Sequence, residues 1–202
     1  MLRVIASVGV ARLPLLAALV AVTLAGCGIN AIPTYEENAK AKWSDVLNQY
    51  QRRTDLIPNL VETVKGYAKQ EQQVLQSVVE ARSRATSIQA TPDLVNNPEA
   101  FKKFQEAQAQ LSGALGRLIA VSENYPELKS NQNFLALQSQ LEGTENRIAV
   151  ARRDYIDAVR QYNTELKTFP GSIWASVLYR SNKPMEEFTI AEDARKPPQV
   201  KF

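Results

Sequence analysis

Apolar residues recur at intervals of seven along most of the chain, starting at Trp43 and Tyr50. A second set, interleaved with the first, starts at Leu47 and continues through Val61. Sets spaced in this way form the a and d positions of helices that pack nearly parallel to one another. No stretch shows the sustained alternation of apolar and polar residues that is typical of strands. The pattern therefore predicts an all-α protein.

Capping residues set the ends of the later helices. Asn97 offers an N-cap and Pro98 the first helical position, and Pro126 disfavours helix in the residue before it. Ser130 or Asn131 caps the last long segment. The predicted helices span about 36–53, 56–89, 98–124 and 131–168. We expect an elongated up-and-down four-helix bundle with long antiparallel helices over residues 35–182, including a short helix near 172–179, and a mostly irregular tail over 183–202.

Two interpretations fit the sequence around Pro58. The heptad phase runs through it unbroken, which favours one kinked helix over about 36–89. That helix would be roughly 80 Å long against roughly 40 Å for 98–124, and part of its apolar face would have nothing to cover it. A break at Thr54 and Asp55, with Asp55 as N-cap and Pro58 in the first turn, avoids this exposure. We favour the break because burial outweighs continuity of the pattern.

The N-terminus has the pattern of an export signal. Residues 13–26 form an uncharged, mostly apolar run of 14 residues, preceded by Arg3 and Arg12 and by no acidic residue. As a helix this run would span roughly 21 Å, short of the roughly 30 Å hydrocarbon core. A basic start, a short apolar run and small residues at its end predict a signal peptide over residues 1–26.

The single cysteine of the chain follows this run directly, in the sequence Leu-Ala-Gly-Cys at 24–27. This sequence resembles the lipobox of bacterial lipoproteins, which implies that Cys27 is acylated and becomes the first residue of the mature protein. Residues 27–34 are then the lipidated N-terminus and a spacer. Gly28, in place of aspartate, implies the outer membrane in a Gram-negative cell, with the domain facing the periplasm or cell exterior. An uncleaved anchor helix over about 2–24 is the alternative.

Composition excludes several classes of function. Without residues 1–26 the chain has 22 basic and 21 acidic residues, so no charge excess favours nucleic acid. There is no histidine, which removes the commonest general base and zinc ligand. With Cys27 lipidated, no thiol remains for redox chemistry or a soft metal. We expect no cofactor, no metal site and no enzymatic activity, although composition alone does not exclude a Ser–Lys pair.

Long stretches of the chain resemble one bacterial family. RRTDLIPNLVETVKGYAKQE at 52–71 and VVEARSRA at 78–85 are similar to the central signature of the LemA family. The segment 123–163 is similar to its second half, and FPGSIWA and PPQVKF to its C-terminal part. The resemblance implies a four-helix domain anchored to a membrane at its N-terminus, without an established biochemical function. It also implies an envelope partner, for which a TPM-domain protein is the candidate because their genes are neighbours in several genomes.

Charged residues at a and d positions are predicted to be structural. Glu71 and Arg82 either reach the edge of the bundle or form an interior ion pair that fixes register. Glu62, Glu71, Glu142 and Glu145 could suggest a two-metal site between helices, but such sites also use histidine. The predicted partners of Glu142 and Glu145 are instead Arg147, Arg152 or Arg53.

Polar residues of two turns form the candidate partner-binding surface. In the four-helix interpretation the turns at 54–58 and 125–131 lie at one end of the bundle, opposite the lipidated N-terminus. The predicted partner-binding residues are Arg52, Arg53, Asp55, Asn59, Asn124, Tyr125, Glu127 and Asn131. The alternative is that they only cap helices and brace turns.

Two classes of function remain. We favour an anchored, non-enzymatic interaction or scaffolding module of the cell envelope. The second class is a small-ligand receptor or an enzyme with a polar pocket inside the bundle. A filled interior supports the first class, whereas a cavity lined by Arg, Glu and Asn side chains supports the second.

Overall fold

The computed structural model describes residues 28–89 and 91–189, and these residues contain helices and no strand. The predicted signal peptide, Cys27 and residues 190–202 therefore lie outside the described residues. Helices α1 to α6 are, in chain order, Ala31–Tyr67, Gln72–Ser87, Pro98–Ser122, Pro126–Lys129, Gln132–Lys167 and Gly171–Val177. A 3-10 helix, Pro92–Asn96, precedes α3.

The four longer helices, α1, α2, α3 and α5, run up and down, as the heptad pattern predicts. Helices α1 and α5 lie antiparallel along their length, and Arg53 of α1 meets Glu145 of α5 about halfway. Helix α2 returns along the second half of α1, and α3 runs back beside α2. The predicted all-α fold and the antiparallel arrangement are confirmed.

The predicted break at Thr54 and Asp55 is wrong. Helix α1 continues through Pro58, and the chain turns at residues 68–71 instead. Because Pro58 has no backbone N–H, the carbonyl of Thr54 loses its helical hydrogen-bond donor. Arg82 of α2 replaces that donor: its Nε donates to the Thr54 carbonyl at 3.0 Å. The Thr54 carbonyl thus keeps a hydrogen-bond donor through a long-range side-chain contact, and the helix does not need to break there.

Two separate cores fill the bundle. The aromatic core lies in the half nearer the described N-terminus, and its largest members are Trp43, Phe101, Phe104, Tyr155, Tyr162 and Phe188. The aliphatic core lies in the other half and includes Ile57, Leu60, Val64, Leu111, Leu118 and Leu141. Both halves of α1 are therefore covered, which removes the burial argument against a continuous helix.

The segment 182–189 has neither helix nor strand, yet it packs into the aromatic core. Met185 and Phe188 are 4% and 7% exposed. Asn163 holds Met185 by two hydrogen bonds, one to its carbonyl and one from its N–H, each 2.9 Å long. The N–H of Glu186 donates to the carbonyl of Val95 at 2.8 Å. This segment is part of the folded domain although its backbone is irregular.

Candidate functional site

Arg53 forms the centre of a polar layer between the two cores. Its side chain is 1% exposed, and on α1 it lies between Tyr50 of the aromatic core and Ile57 of the aliphatic core. We define the arginine layer by the residues that meet there: Arg53, Thr54, Arg82, Gln108, Ser112 and Glu145. All four long helices contribute at least one of them.

The guanidinium group of Arg53 is held by three side chains. Its Nη1 donates to Ser112 Oγ at 2.7 Å and to Glu145 Oε1 at 2.9 Å. Its Nη2 donates to the side-chain oxygen of Gln108, and the guanidinium also lies 5.0 Å from the centre of the Tyr50 ring. A buried charge is tolerated only when it is paired and hydrogen-bonded, and these contacts supply both. Both Nη atoms are therefore paired within the layer, whereas the buried Nε has no hydrogen-bond partner among the described residues.

This burial corrects one predicted role and confirms another. Arg53 is not on an exposed tip, because the helix continues past it and turns its side chain into the bundle. The predicted pairing of Arg53 with Glu145 is confirmed. Arg82 was predicted to be structural, and its hydrogen bond to the Thr54 carbonyl agrees with that role. Gln108 and Ser112 were not predicted; Gln108 could have been found as a polar residue at an a or d position of α3.

The predicted partner-binding residues do not meet at one tip. Arg52, Asp55 and Asn59 are exposed on α1. Asn59 and Arg52 lie 8 and 15 residues before the end of α1 at Tyr67, which corresponds to about 12 and 22 Å along the helix axis. The other predicted residues lie at the turn between α3 and α5: Asn124, Tyr125, Glu127 and Asn131. The separation follows from the position of the α1–α2 turn, which is at residues 68–71 and not at 54–58.

The distal turn, which we define as residues 67–71 and 122–131, is braced by side chains that cross between its two segments. Tyr125 Oη donates to Glu71 at 2.8 Å, and Asn131 Nδ2 donates to Tyr67 Oη at 2.9 Å. The hydrogen bond to Glu71 raises the pKa of Tyr125 above its ordinary value. Asn131 Oδ1 also caps α5 by accepting from the N–H of Phe134 at 3.1 Å. Two of the four predicted residues here, Tyr125 and Asn131, thus brace or cap the turn.

Two recesses on the described surface are grooves between helices. One, of about 580 Å³, lies between α2 and α3 and has Arg84 and Arg117 among its lining residues. The other, of about 340 Å³, lies between α1 and α5, and its polar lining residues are Asp45, Gln49, Asn146, Arg147 and Asp154. Within the described residues no group of three or more His, Cys, Asp or Glu side chains is placed to hold a metal ion.

Comparison with known proteins gives one family and several relatives. Residues 42–202 match the model of the LemA family. Two magnetosome proteins of Paramagnetospirillum magneticum, MamQ 1 and MamQ 2, are each 27% identical to this chain over 164 residues, which cover 73% of this chain and 60% of each relative. Magnetosome protein MamQ of Magnetospirillum gryphiswaldense is 26% identical over 166 residues, with the same coverage. This chain therefore spans less than two-thirds of the length of these relatives.

Proposed function

Since this chain belongs to the LemA family, we propose that it is a membrane-anchored lipoprotein of the cell envelope whose helical domain is a non-enzymatic interaction or scaffolding module. One observation supports the non-enzymatic role: the described interior is filled by two packed cores and by an arginine layer whose charge is already paired. A filled interior leaves no chamber in which a substrate could be enclosed. A partner would then bind at the surface of the bundle.

The anchor is proposed to be a lipid on Cys27. The sequence before it has the length and small terminal residues of a lipoprotein signal. Among the described residues no helix is long and apolar enough to cross a bilayer. The similarity to proteins named for the magnetosome supports association with a cellular membrane structure. For a Gram-negative cell we propose the outer membrane, with the domain in the periplasm.

The anchor is tested by the intact mass of the full chain extracted from membranes. We expect a protein that starts at Cys27 and carries diacylglycerol, with acylation of the new amine. The Cys27→Ala variant should keep its signal peptide and carry no lipid. A wild-type chain that starts near Met1, or a Cys27→Ala variant that is still cleaved and acylated, would contradict the proposal.

The interaction module is proposed to bind an envelope protein, for which a TPM-domain protein is the first candidate. The exposed polar residues fall into two separate surfaces, so each is tested by itself. One double variant changes Arg52 and Asn59 on α1 to Ala, and the other changes Asn124 and Glu127 on the distal turn to Ala. We expect one of them to lose binding to the purified TPM-domain protein while keeping the wild-type melting temperature. Binding that survives both changes would remove these residues from the interface.

A small-ligand receptor is the second candidate function, and it too has one observation in its favour. Gln49 Oε1, in the groove between α1 and α5, is buried and accepts no hydrogen bond from the described residues. An amide oxygen of this kind could accept from a bound donor. A ligand screen by thermal shift tests this function: a stabilising compound should lose its effect in Gln49→Leu. Stabilisation that persists in Gln49→Leu would place the ligand elsewhere.

A further inference from the structure

Helix α6 and the residues on either side of it expose large apolar side chains at the end of the bundle where the described chain begins. Phe169 is 82% exposed, and Ile173, Val177 and Leu178 are 47%, 57% and 54% exposed. We call these four residues the α6 face. They lie within ten consecutive positions, and α6 itself, GSIWASV, contains no charged residue. The exposed side of α6 therefore lacks the charged face of an ordinary surface helix.

The inner side of α6 fixes the orientation of that face. Trp174 and Ala175 pack against the aromatic core. A Cβ atom added to Gly171 would lie 2.2 Å from the carbonyl oxygen of Glu165, so only glycine permits this close approach to the end of α5. With these residues turned inward, Ile173 and Val177, one helical turn apart, point outward. The exposure of the α6 face is thus a consequence of tight packing.

The N-terminal end of the described chain is held against α6. A Cβ atom built on Gly28 would lie 3.4 Å from Pro170 Cγ and 3.9 Å from Trp174 Nε1. The hydroxyl of Tyr179 donates to the carbonyl of Ile29 at 2.9 Å. Gly28 itself has φ +99°, a left-handed conformation that suits glycine. Cys27, the proposed lipid attachment point, directly precedes Gly28 in the sequence.

Basic residues flank the α6 face along the chain, and we call these residues the basic rim. Over residues 165–183 the charged side chains are Lys167, Arg180, Lys183 and the single acid Glu165. All three basic residues are exposed. An apolar centre with a basic rim is the pattern of protein surfaces that lie at the boundary between the headgroups and acyl chains of an anionic bilayer.

We propose that the α6 face is a second membrane contact, which lies on the bilayer surface beside the N-terminal anchor. This inference rests on the proposed lipid anchor, because a lipid on Cys27 holds the bilayer next to Gly28 and therefore next to α6. The contact stabilises one orientation of the bundle, with the distal turn farthest from the membrane.

The test uses the full chain in vesicles of phosphatidylethanolamine and phosphatidylglycerol. The photoreactive residue p-benzoylphenylalanine replaces Phe169 or Ile173 in two variants, and Leu135 in a matched control. Leu135 is as exposed as Ile173, at 47%, but lies near the distal turn. Illumination followed by mass spectrometry should give lipid adducts at positions 169 and 173 and none at 135.

Other results would overturn the inference in identifiable ways. Adducts to a second copy of the chain would make the α6 face a dimer contact, and adducts to residues 190–202 would make it the seat of the C-terminal segment. A chain that stays on the vesicles but gives no lipid adduct would overturn the inference and leave the anchor intact. A chain that does not stay on the vesicles would overturn both.

The contribution of the basic rim to the bilayer contact is tested in the same vesicles. Replacing Lys167, Arg180 and Lys183 by Gln should lower the yield of lipid adducts at position 173 several-fold in vesicles that contain phosphatidylglycerol. In vesicles of phosphatidylcholine alone the same replacements should leave the yield unchanged. Equal yields in the anionic vesicles would show that the rim does not attract the bilayer.

Discussion

The two halves of the bundle are filled by different kinds of side chain. The aromatic core contains seven buried aromatic residues: Trp43, Tyr50, Phe101, Phe104, Tyr155, Tyr162 and Phe188. The aliphatic core contains one, Phe134, among Leu, Ile, Val and Ala. The reason is the length of α2, which ends at Ser87 and whose buried residues all belong to the aliphatic core.

Where α2 is missing, the 3-10 helix and the irregular segment 182–189 take the place of a fourth helix. Leu94 and Val95 approach from one side, and Met185 and Phe188 from another. Side chains satisfy the backbone groups of these segments: Trp43 Nε1 donates to the Thr91 carbonyl at 3.3 Å, and Tyr155 Oη donates to the Glu186 carbonyl at 2.8 Å. Large rings with polar edges can both fill the wider space and pair with irregular backbone, which aliphatic side chains cannot do.

The largest expected effect comes from emptying the aromatic core. Trp43 is 0% exposed, and its ring centre lies within 6.0 Å of those of Phe101, Phe104, Tyr155 and Phe188. Trp43→Ala should lower the free energy of unfolding by about 3–5 kcal/mol, measured by chemical denaturation. It should also release the segment 182–189 to hydrogen exchange.

Leu118→Ala is the matched change in the aliphatic core, where Leu118 is also 0% exposed. We expect a cost of about 2–5 kcal/mol and no change in exchange at 182–189, because that segment contacts only the other core. The comparison fails if Leu118→Ala releases the segment as readily as Trp43→Ala does.

Alkaline pH should lower the stability of the half of the bundle that contains the aromatic core. Burial raises the pKa of Tyr50, Tyr155 and Tyr162 above the ordinary value of about 10. Since the folded state favours the protonated phenol, this stability is fully present below about pH 10 and is lost as the pH rises towards the folded pKa. The free energy of unfolding should then fall by up to about 1.4 kcal/mol per pH unit for each such tyrosine. Denaturation series at several pH values measure this slope.

Tyr155→Phe is the control for that slope. The variant should be less stable at neutral pH by about 1 kcal/mol, because the hydrogen bond to the Glu186 carbonyl is lost. Above pH 10 its stability should fall less steeply than that of the wild type. The side-chain hydrogen bonds to Glu36 and Glu37 also raise the pKa of Lys40, and Lys40 is unchanged in this control. Equal slopes would contradict the assignment to Tyr155.

A double-mutant cycle tests the junction between the halves. Arg82→Met removes the donor to the Thr54 carbonyl and should cost about 1–3 kcal/mol. Pro58→Ala restores the backbone N–H that can donate to the same carbonyl. In the Pro58→Ala background Arg82→Met should therefore cost clearly less. Equal costs in both backgrounds, measured by chemical denaturation, would show that Arg82 acts through other contacts.

The smallest effects concern helix caps. Asn97 Oδ1 accepts from the N–H of Ala100 at 3.1 Å, and Asn97→Ala should lower the free energy of unfolding by about 1 kcal/mol. Asp55 lies inside α1, where its side chain accepts from Gln51 Nε2. Asp55→Ala should change stability by no more than about 0.5 kcal/mol. A cost near 1 kcal/mol for Asp55→Ala would instead support a helix start at Asp55.

Local sequence signals predicted the site only where the contact was local or had a complementary charge. The cap at Asn131 and the pairing of Arg53 with Glu145 were of this kind. Gln108 and Ser112 were missed, because no charge complementarity identifies a neutral partner. The grouping of Arg52 and Asn59 with Asn124 and Glu127 failed because it depended on where the chain turns. The lipidation of Cys27 stays a prediction.

Local sequence patterns were enough to predict that this protein is helical, which faces of its helices are buried, and where α3 and α5 begin. These features depend on a repeat of seven and on caps within a few residues of the helix ends, so they are encoded locally. Whether α1 continues through Pro58 depends instead on contacts between helices. That outcome depends on a donor from Arg82, 28 residues away along the chain. The burial of Met185 and Phe188 in the core also depends on contacts between helices, because these side chains fill the space that a short α2 leaves open.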